Sequence, residues 1–292
     1  MATQNSPIGV FDSGIGGLTV VRALKKALPT ESLIYLGDTA RLPYGSKSAA
    51  TVTRYSSQIA DFLVGRQVKY LVVACNTASA YALPHLRQSL QIPLMGVVEP
   101  GAALAVASSP KKKIGVLGTR GTINSQAYRE AILRLNPEVD VFSQACPLLV
   151  PLAEEGWLDT AISADIVQHY LDLLKASCGE IDALVLGCTH YPVLKDLISL
   201  RATMTFGHQI HVIDSADAVA DAVAKDLELQ SLEYPPGLTA GADHFLFTDD
   251  SRFNEIGKLF LGRGLLSSGS YLRKRARAPF LSHFGIAVLA GP

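Results

Sequence analysis

Apolar runs of strand length alternate along this chain with longer stretches whose apolar positions recur every three or four residues. That alternation predicts buried strands separated by amphipathic helices. The first run, Ile8-Gly9-Val10-Phe11, leads into a segment from Gly16 to Leu28 with apolar residues at 18, 21, 24 and 28 set against Arg22, Lys25 and Lys26. Pro29 ends it. A short strand over Ser32 to Leu36 follows, then a loop, Leu42-Pro43-Tyr44-Gly45-Ser46. A helix from Ser48 to Gly65 carries Val52, Tyr55, Ile59, Phe62 and Leu63 on its inner face. Then come the strand ending at Cys75, a helix to Leu90 and a strand-like Gly96-Val97-Val98-Glu99. This βαβα order predicts parallel strands joined by right-handed crossovers, an α/β fold.

The pattern repeats at an offset of about 110 residues, too long for a solenoid and suited to duplicated domains. Ile8-Gly9-Val10-Phe11 is echoed by Ile114-Gly115-Val116-Leu117. Val72-Val73-Ala74-Cys75-Asn76-Thr77 is echoed by Leu184-Val185-Leu186-Gly187-Cys188-Thr189-His190, and the 96–99 segment by His211-Val212-Ile213-Asp214. The second unit starts after Ser108-Ser109-Pro110 and three lysines, 111–113, which read as a solvated approach to a strand. Helices are expected over Ile162 to Leu174 and Val193 to Ser199, and after Asp214 through Ala216, Val219, Val223 and Leu227. A turn at Pro235-Pro236 precedes a closing segment, Phe245 to Leu261. The tail from Ser267, with Arg273-Lys274-Arg275-Ala276-Arg277, reads as loosely held and solvated.

Composition narrows the classes. The 292 residues suffice for two domains; 48% are hydrophobic and only 18% charged, below the roughly 25% of typical soluble domains, so much of the chain is interior. Basic and acidic residues balance at 26 each, which leaves no electrostatic footprint for nucleic acid. The polar start, Met1 to Pro7, lacks the features of a signal peptide, and no apolar run approaches a membrane span. A cytoplasmic protein is expected, with Cys75, Cys146, Cys178 and Cys188 reduced. Cys188-x-His190 has no second ligand pair, so a zinc site is not expected.

Chemistry concentrates at strand ends. In open α/β sheets, ligands bind outside the carboxyl ends of the strands, and both Cys75 and Cys188 sit there, followed by polar residues. Two thiols, one per unit, suggest acid/base groups facing one substrate. Cys146 and Cys178 read as small buried hydrophobes. Asp12-Ser13-Gly14-Ile15-Gly16-Gly17 opens a helix and offers backbone N–H groups to an anion, but it lacks the Gly-Lys-Ser/Thr of a Walker loop and the dinucleotide spacing. His190 suits proton exchange with a neighbouring thiolate, and Glu154 or Glu155 would orient it.

In this combination the residues resemble the glutamate racemases of the aspartate/glutamate racemase superfamily. The likeness rests on Gly9 to Val20, Tyr35-Leu36-Gly37-Asp38-Thr39, Pro43-Tyr44-Gly45, Ala74-Cys75-Asn76-Thr77-Ala78-Ser79-Ala80, Gly118-Thr119 with Thr122, and Gly187-Cys188-Thr189-His190-Tyr191-Pro192. The resemblance implies two similar doubly wound α/β domains related by pseudo-twofold symmetry, with the active site in the cleft between them. One domain would hold 1–98 plus 211–292, the other 99–210. It implies cofactor-independent racemisation of L- and D-glutamate supplying peptidoglycan synthesis, with Cys75 serving D-glutamate and Cys188 serving L-glutamate. Asp12 would assist Cys75; His190, with Glu154 behind it, would assist Cys188. Ser13, Tyr44, Gly45, Asn76, Thr77, Thr119, Thr122 and Thr189, along with Asp12 and His190, would hold the substrate. No cofactor, metal, nucleic acid or membrane is implied, and a homodimer is one assembly the resemblance suggests. An aspartate or hydantoin racemase is the nearest alternative. A bilobal amino-acid-binding protein has no use for two symmetric thiols, and a Cys-His-Glu hydrolase leaves Cys75 unexplained.

Overall fold

Strand Ile8–Asp12 (β1) is buried along its whole length, as befits a parallel strand covered on both faces. Ile8 and Val10 enter one apolar layer and Phe11 the opposite one. A computed structural model of the chain describes residues 2–237, 241–249, 253–262 and 272–273. Helix Leu18–Ala27 (α1) leads to Leu33–Gly37 (β2), and Ala49–Gly65 (α2), N-capped by the Ser48 hydroxyl, to Tyr70–Val73 (β3). Asn76–Ser89 (α3) then leads to Leu94–Gly96 (β4).

The second half continues with Val98–Ala107 (α4), Lys113–Gly118 (β5), Arg120–Asn124 (α5), Ala127–Leu135 (α6) and Asp140–Ala145 (β6). Leu149–Glu154 (α7), Ala161–Cys178 (α8), Ala183–Gly187 (β7), Lys195–Phe206 (α9) and His211–Asp214 (β8) complete it. Ser215–Leu229 (α10), His244–Phe247 (β9), Phe253–Leu261 (α11) and the short Leu272–Arg273 (β10) return to the first sheet.

Among the described residues every strand pairing is parallel. The first sheet runs β10-β9-β2-β1-β3-β4 and the second β6-β5-β7-β8. The orders 2-1-3-4 and 6-5-7-8 are one topology used twice, so the sequence echoes mark equivalent strands. In each sheet the order reverses between the first and third strands of the unit, which opens a crevice at their carboxyl ends. Those ends carry Asp12 and Cys75 in one sheet and Thr119 and Cys188 in the other. One apolar cluster runs from α1, α10 and α11 through to α8 and α9, holding the two sheets as neighbours.

Two expectations change. The strand placed at 96–99 ends at Gly96, and Val98 and Glu99 begin α4. Pro100 sits in that helix's first turn, where a missing N–H costs little. The boundary placed at 211 also shifts. Strand β8 pairs with β7, from Ala183↔His211 to Leu186↔Asp214, and so belongs to the second sheet. The Asp214 carboxylate then accepts from Ala216 N–H at 2.9 Å and caps α10. The basic run 274–277 and most of the tail lie outside the described residues; of the cluster only Arg273 is placed, in β10.

Candidate active site

The thiol of Cys75 occupies the N-cap position of α3 and accepts from the Ala78 backbone N–H at 3.4 Å. Its Sγ also lies 3.5 Å from Ser13 Oγ, in the glycine loop after β1. Burial, and then the charge of Asp12, push this thiol up to about 12, so it holds its proton at neutral pH. Asp12 is fully buried. Its carboxylate accepts from Gly14 N–H at 2.9 Å and from Thr189 Oγ1 at 3.3 Å. Burial raises its pKa as well. Thus Asp12, on the first sheet, reaches the Cys-Thr-His turn of the second.

Cys188 follows β7 in the same way. Its Sγ lies 3.9 Å from His190 Nδ1, and His190 Nε2 lies 3.2 Å from Glu154 Oε1. Glu154, rather than Glu155, therefore meets the histidine at the distance the expected role requires. Burial alone would lower the His190 pKa, but hydrogen bonds to Cys188 and Glu154 outweigh it and raise it to about 10. The imidazole is protonated at neutral pH, held between a sulfur and a carboxylate, and makes a T-shaped contact with the Phe260 ring.

Neutral groups share this cavity with the two thiols. The hydroxyls of Thr77, Thr119 and Thr122 form a triangle with sides of 2.9, 3.1 and 3.1 Å, joining the start of α3 to the start of α5. Asn76 is buried; its Oδ1 accepts from Tyr128 and its Nδ2 has no partner. Leaving a buried N–H unpaired costs about 1–3 kcal/mol, the kind of cost a binding site carries until its ligand arrives. Ser13, Tyr44, Gly45, Cys75, Asn76, Thr77, Thr119, Glu154, Cys188, Thr189 and His190 line one cavity. The structure thus brings the expected residues together. Asp12 and Thr122 sit just behind the lining, touching it through Thr189 and through Thr77 and Thr119. The Tyr44 hydroxyl donates to Asp38, which leaves it only a lone pair for a ligand.

The space between these side chains is narrow. Glycines make the closeness tolerable. A Cβ on Gly16 would lie 2.5 Å from both His190 Nδ1 and Thr189 Oγ1, and one on Gly45 would lie 2.5 Å from Thr119 Cβ. Gly16→Ala is expected to destabilise the fold by about 1–3 kcal/mol through overpacking. It should also lower turnover roughly 10²-fold by displacing His190. Unfolding midpoints and initial rates measure both effects; a Gly16→Ala protein with wild-type turnover would contradict this packing.

Sequence reasoning left Asp38 without a role. It is fully buried, accepts from Arg41 Nε at 2.7 Å and Thr248 Oγ1 at 3.0 Å, and receives the Tyr44 hydroxyl, so it fixes the 39–46 loop that roofs the cavity. The Gly37-Asp38-Thr39 stretch was the available signal. Among the described residues no cluster of three His, Cys, Asp or Glu side chains is placed to hold a metal, and no helix is long and apolar enough to cross a membrane.

Comparison with known proteins is decisive at this point. The Asp/Glu/Hydantoin racemase family matches residues 8–223. A glutamate racemase from Geobacter metallireducens is 51% identical over 255 residues, covering 87% of this chain and 92% of the relative. The chain belongs to the glutamate racemases of this family. Among solved structures, a glutamate racemase isoform from Bacillus anthracis superposes with a TM-score of 0.81 at 38% identity, covering 89% of this chain and 95% of that one. The Francisella tularensis glutamate racemase in complex with D-glutamate gives 0.79 at 36% identity, covering 88% and 94%. As a member of the family the protein is an amino-acid racemase, an isomerase. The two doubly wound α/β units are the architecture these relatives share.

Proposed function

We propose that the protein interconverts L- and D-glutamate without a cofactor, using Cys75 and Cys188 as bases on opposite faces of the α-carbon. The observation that carries this reading is the pair of buried thiols at equivalent strand ends, lining one cavity together with hydroxyls and an unpartnered amide nitrogen. From L-glutamate, the Cys188 thiolate takes the α-proton and becomes a thiol. The Cys75 thiol then delivers its proton to the opposite face and becomes a thiolate, giving D-glutamate. Exchange of one proton between the sulfurs through solvent restores the starting state. The protonation states fit this direction: Cys75 holds a proton, and a protonated His190 lies beside Cys188. Asp12 would take up and return the Cys75 proton in the reverse direction.

General acid/base action contributes typically 10²–10⁴-fold, short of what a weakly acidic α-proton demands. The threonine hydroxyls, the Asn76 amide and the N–H groups of the glycine loop supply the remainder as donors to the developing enolate-like carboxylate. They act in a narrow, largely buried space, where such donors are stronger than in bulk water. A cavity this tight must open for glutamate to enter. The chain crosses between the sheets after β4 and after β8, and we assign opening to movement there of two lobes, 1–98 with the return beyond Asp214, and the segment between.

D-glutamate made this way would supply peptidoglycan synthesis in the cytoplasm. Pure protein incubated with L-glutamate and chelator, followed by chiral separation, is expected to reach equal amounts of both enantiomers. L-aspartate or a hydantoin turned over in preference to glutamate would contradict the substrate assignment.

A further inference from the structure

The roles given to Cys75 and Cys188 leave a phenol buried beside the site unused. Tyr128, near the start of α6 in the second sheet's half, is only 2% exposed, and its hydroxyl donates to Asn76 Oδ1 at 2.7 Å across the junction of the two halves. Its ring is wedged: a Cβ on Gly187 would lie 3.1 Å from Tyr128 Cε2, and one on Gly101 would lie 3.2 Å from its hydroxyl. Ser215, the first residue of α10, packs at the same spot: the Cβ built on Gly101 would also lie 3.1 Å from Ser215 Cβ. A phenol has one proton. That proton goes to Asn76, which presents its carbonyl oxygen to Tyr128. The amide nitrogen then points the other way, and Nδ2 is the atom left buried without a partner in the cavity wall.

We propose that Tyr128 is a positioning residue for substrate binding: it fixes the Asn76 side-chain amide so that Nδ2, a donor, faces a substrate carboxylate. This rests on the racemase reading above. Without the phenol the amide is free to turn, and its oxygen would then face the carboxylate and repel it. An apolar residue of similar shape would fill the same space, so the hydroxyl is there for orientation rather than volume. Since Asn76 lies before the first crossing and Tyr128 beyond it, the donor is set only when the two halves are in register.

Tyr128→Phe tests the idea because it keeps the ring and removes only the hydroxyl. Tyr70→Phe is the matched control. Tyr70 is equally buried, its hydroxyl donates to Asp226 Oδ2 at 2.6 Å, and it lies at the amino end of β3, away from the cavity. Both variants should unfold at somewhat lower temperature. Only Tyr128→Phe should raise the KM for both glutamate enantiomers, about tenfold, with kcat changed by less than about threefold. A KM within twofold of wild type in Tyr128→Phe would overturn the proposal. So would an equal KM rise in Tyr70→Phe, which would mark the effect as general loosening. Wild-type protein that fails to racemise glutamate would instead sink the parent reading.

Discussion

Replacing Cys75 or Cys188 with alanine is expected to lower kcat/KM by roughly 10³-fold or more, since each removes a group that makes or breaks the bond to hydrogen. The two enantiomers have equal free energy in water, so the equilibrium constant is one. For any variant, kcat/KM must then fall by the same factor in both directions. A single-cysteine variant slowed in one direction only would signal an artefact of assay rather than a property of the site. Glutamate binding should survive in both proteins, because the threonine triangle, Asn76 and the glycine loop are untouched. Calorimetric titration measures it. Cys146 and Cys178, away from the cavity lining, should tolerate alanine with little loss of rate. A Cys75→Ala protein racemising at near-normal rate would rule out Cys75 as one of two bases.

His190→Gln should produce the second large loss, roughly 10²-fold in kcat/KM, because the cation beside Cys188 is gone. The pH dependence gives an independent readout. Wild-type activity from L-glutamate should decline as pH rises through about 10, where His190 loses its proton, and the variant should lack that limb. Stability follows the same group. Its folded pKa, about 10, lies above its ordinary 6.5, so the native state binds the proton more tightly than the unfolded chain. The stabilisation is fully present below about 6.5 and is lost as pH rises toward 10. The unfolding free-energy difference between wild type and His190→Gln should therefore narrow across that window; a constant difference would show that the pair with Glu154 and Cys188 does not hold the charge.

Much of this was legible in the sequence because the chemistry sits at strand ends, and strand ends are visible as apolar runs breaking into polar residues. Cys75 and Cys188 stood out for that reason, and the repeat showed that they are equivalent. The strand at 96–99 misled because Val97-Val98 looks extended in isolation, while packing of Val98, Ala102 and Ala105 against the second sheet makes the stretch helical. The boundary at 211 failed for a related reason. An echoed strand belongs with its own unit's sheet, and only the β7–β8 hydrogen bonds settle where the chain turns back. Glu154 and Glu155 are neighbours in sequence and separable only once α7 sets which one faces His190. Asp38 showed only as part of the Gly37-Asp38-Thr39 stretch, with nothing to say what it does, and Tyr128 was silent, since a buried hydroxyl that orients another side chain leaves no local pattern.

The central claim, two bases on opposite faces, is tested most directly by running the reaction from L-glutamate in deuterated water and analysing both enantiomers at early conversion. The account predicts that newly formed D-glutamate carries deuterium at the α-carbon, because Cys75 has exchanged with solvent before delivering its hydrogen. Recovered L-glutamate should remain largely protiated, because Cys188 returns the hydrogen it took before exchanging it. Deuterium appearing equally in both enantiomers would mean one mobile base or an intermediate open to water, and would contradict the two-thiol mechanism.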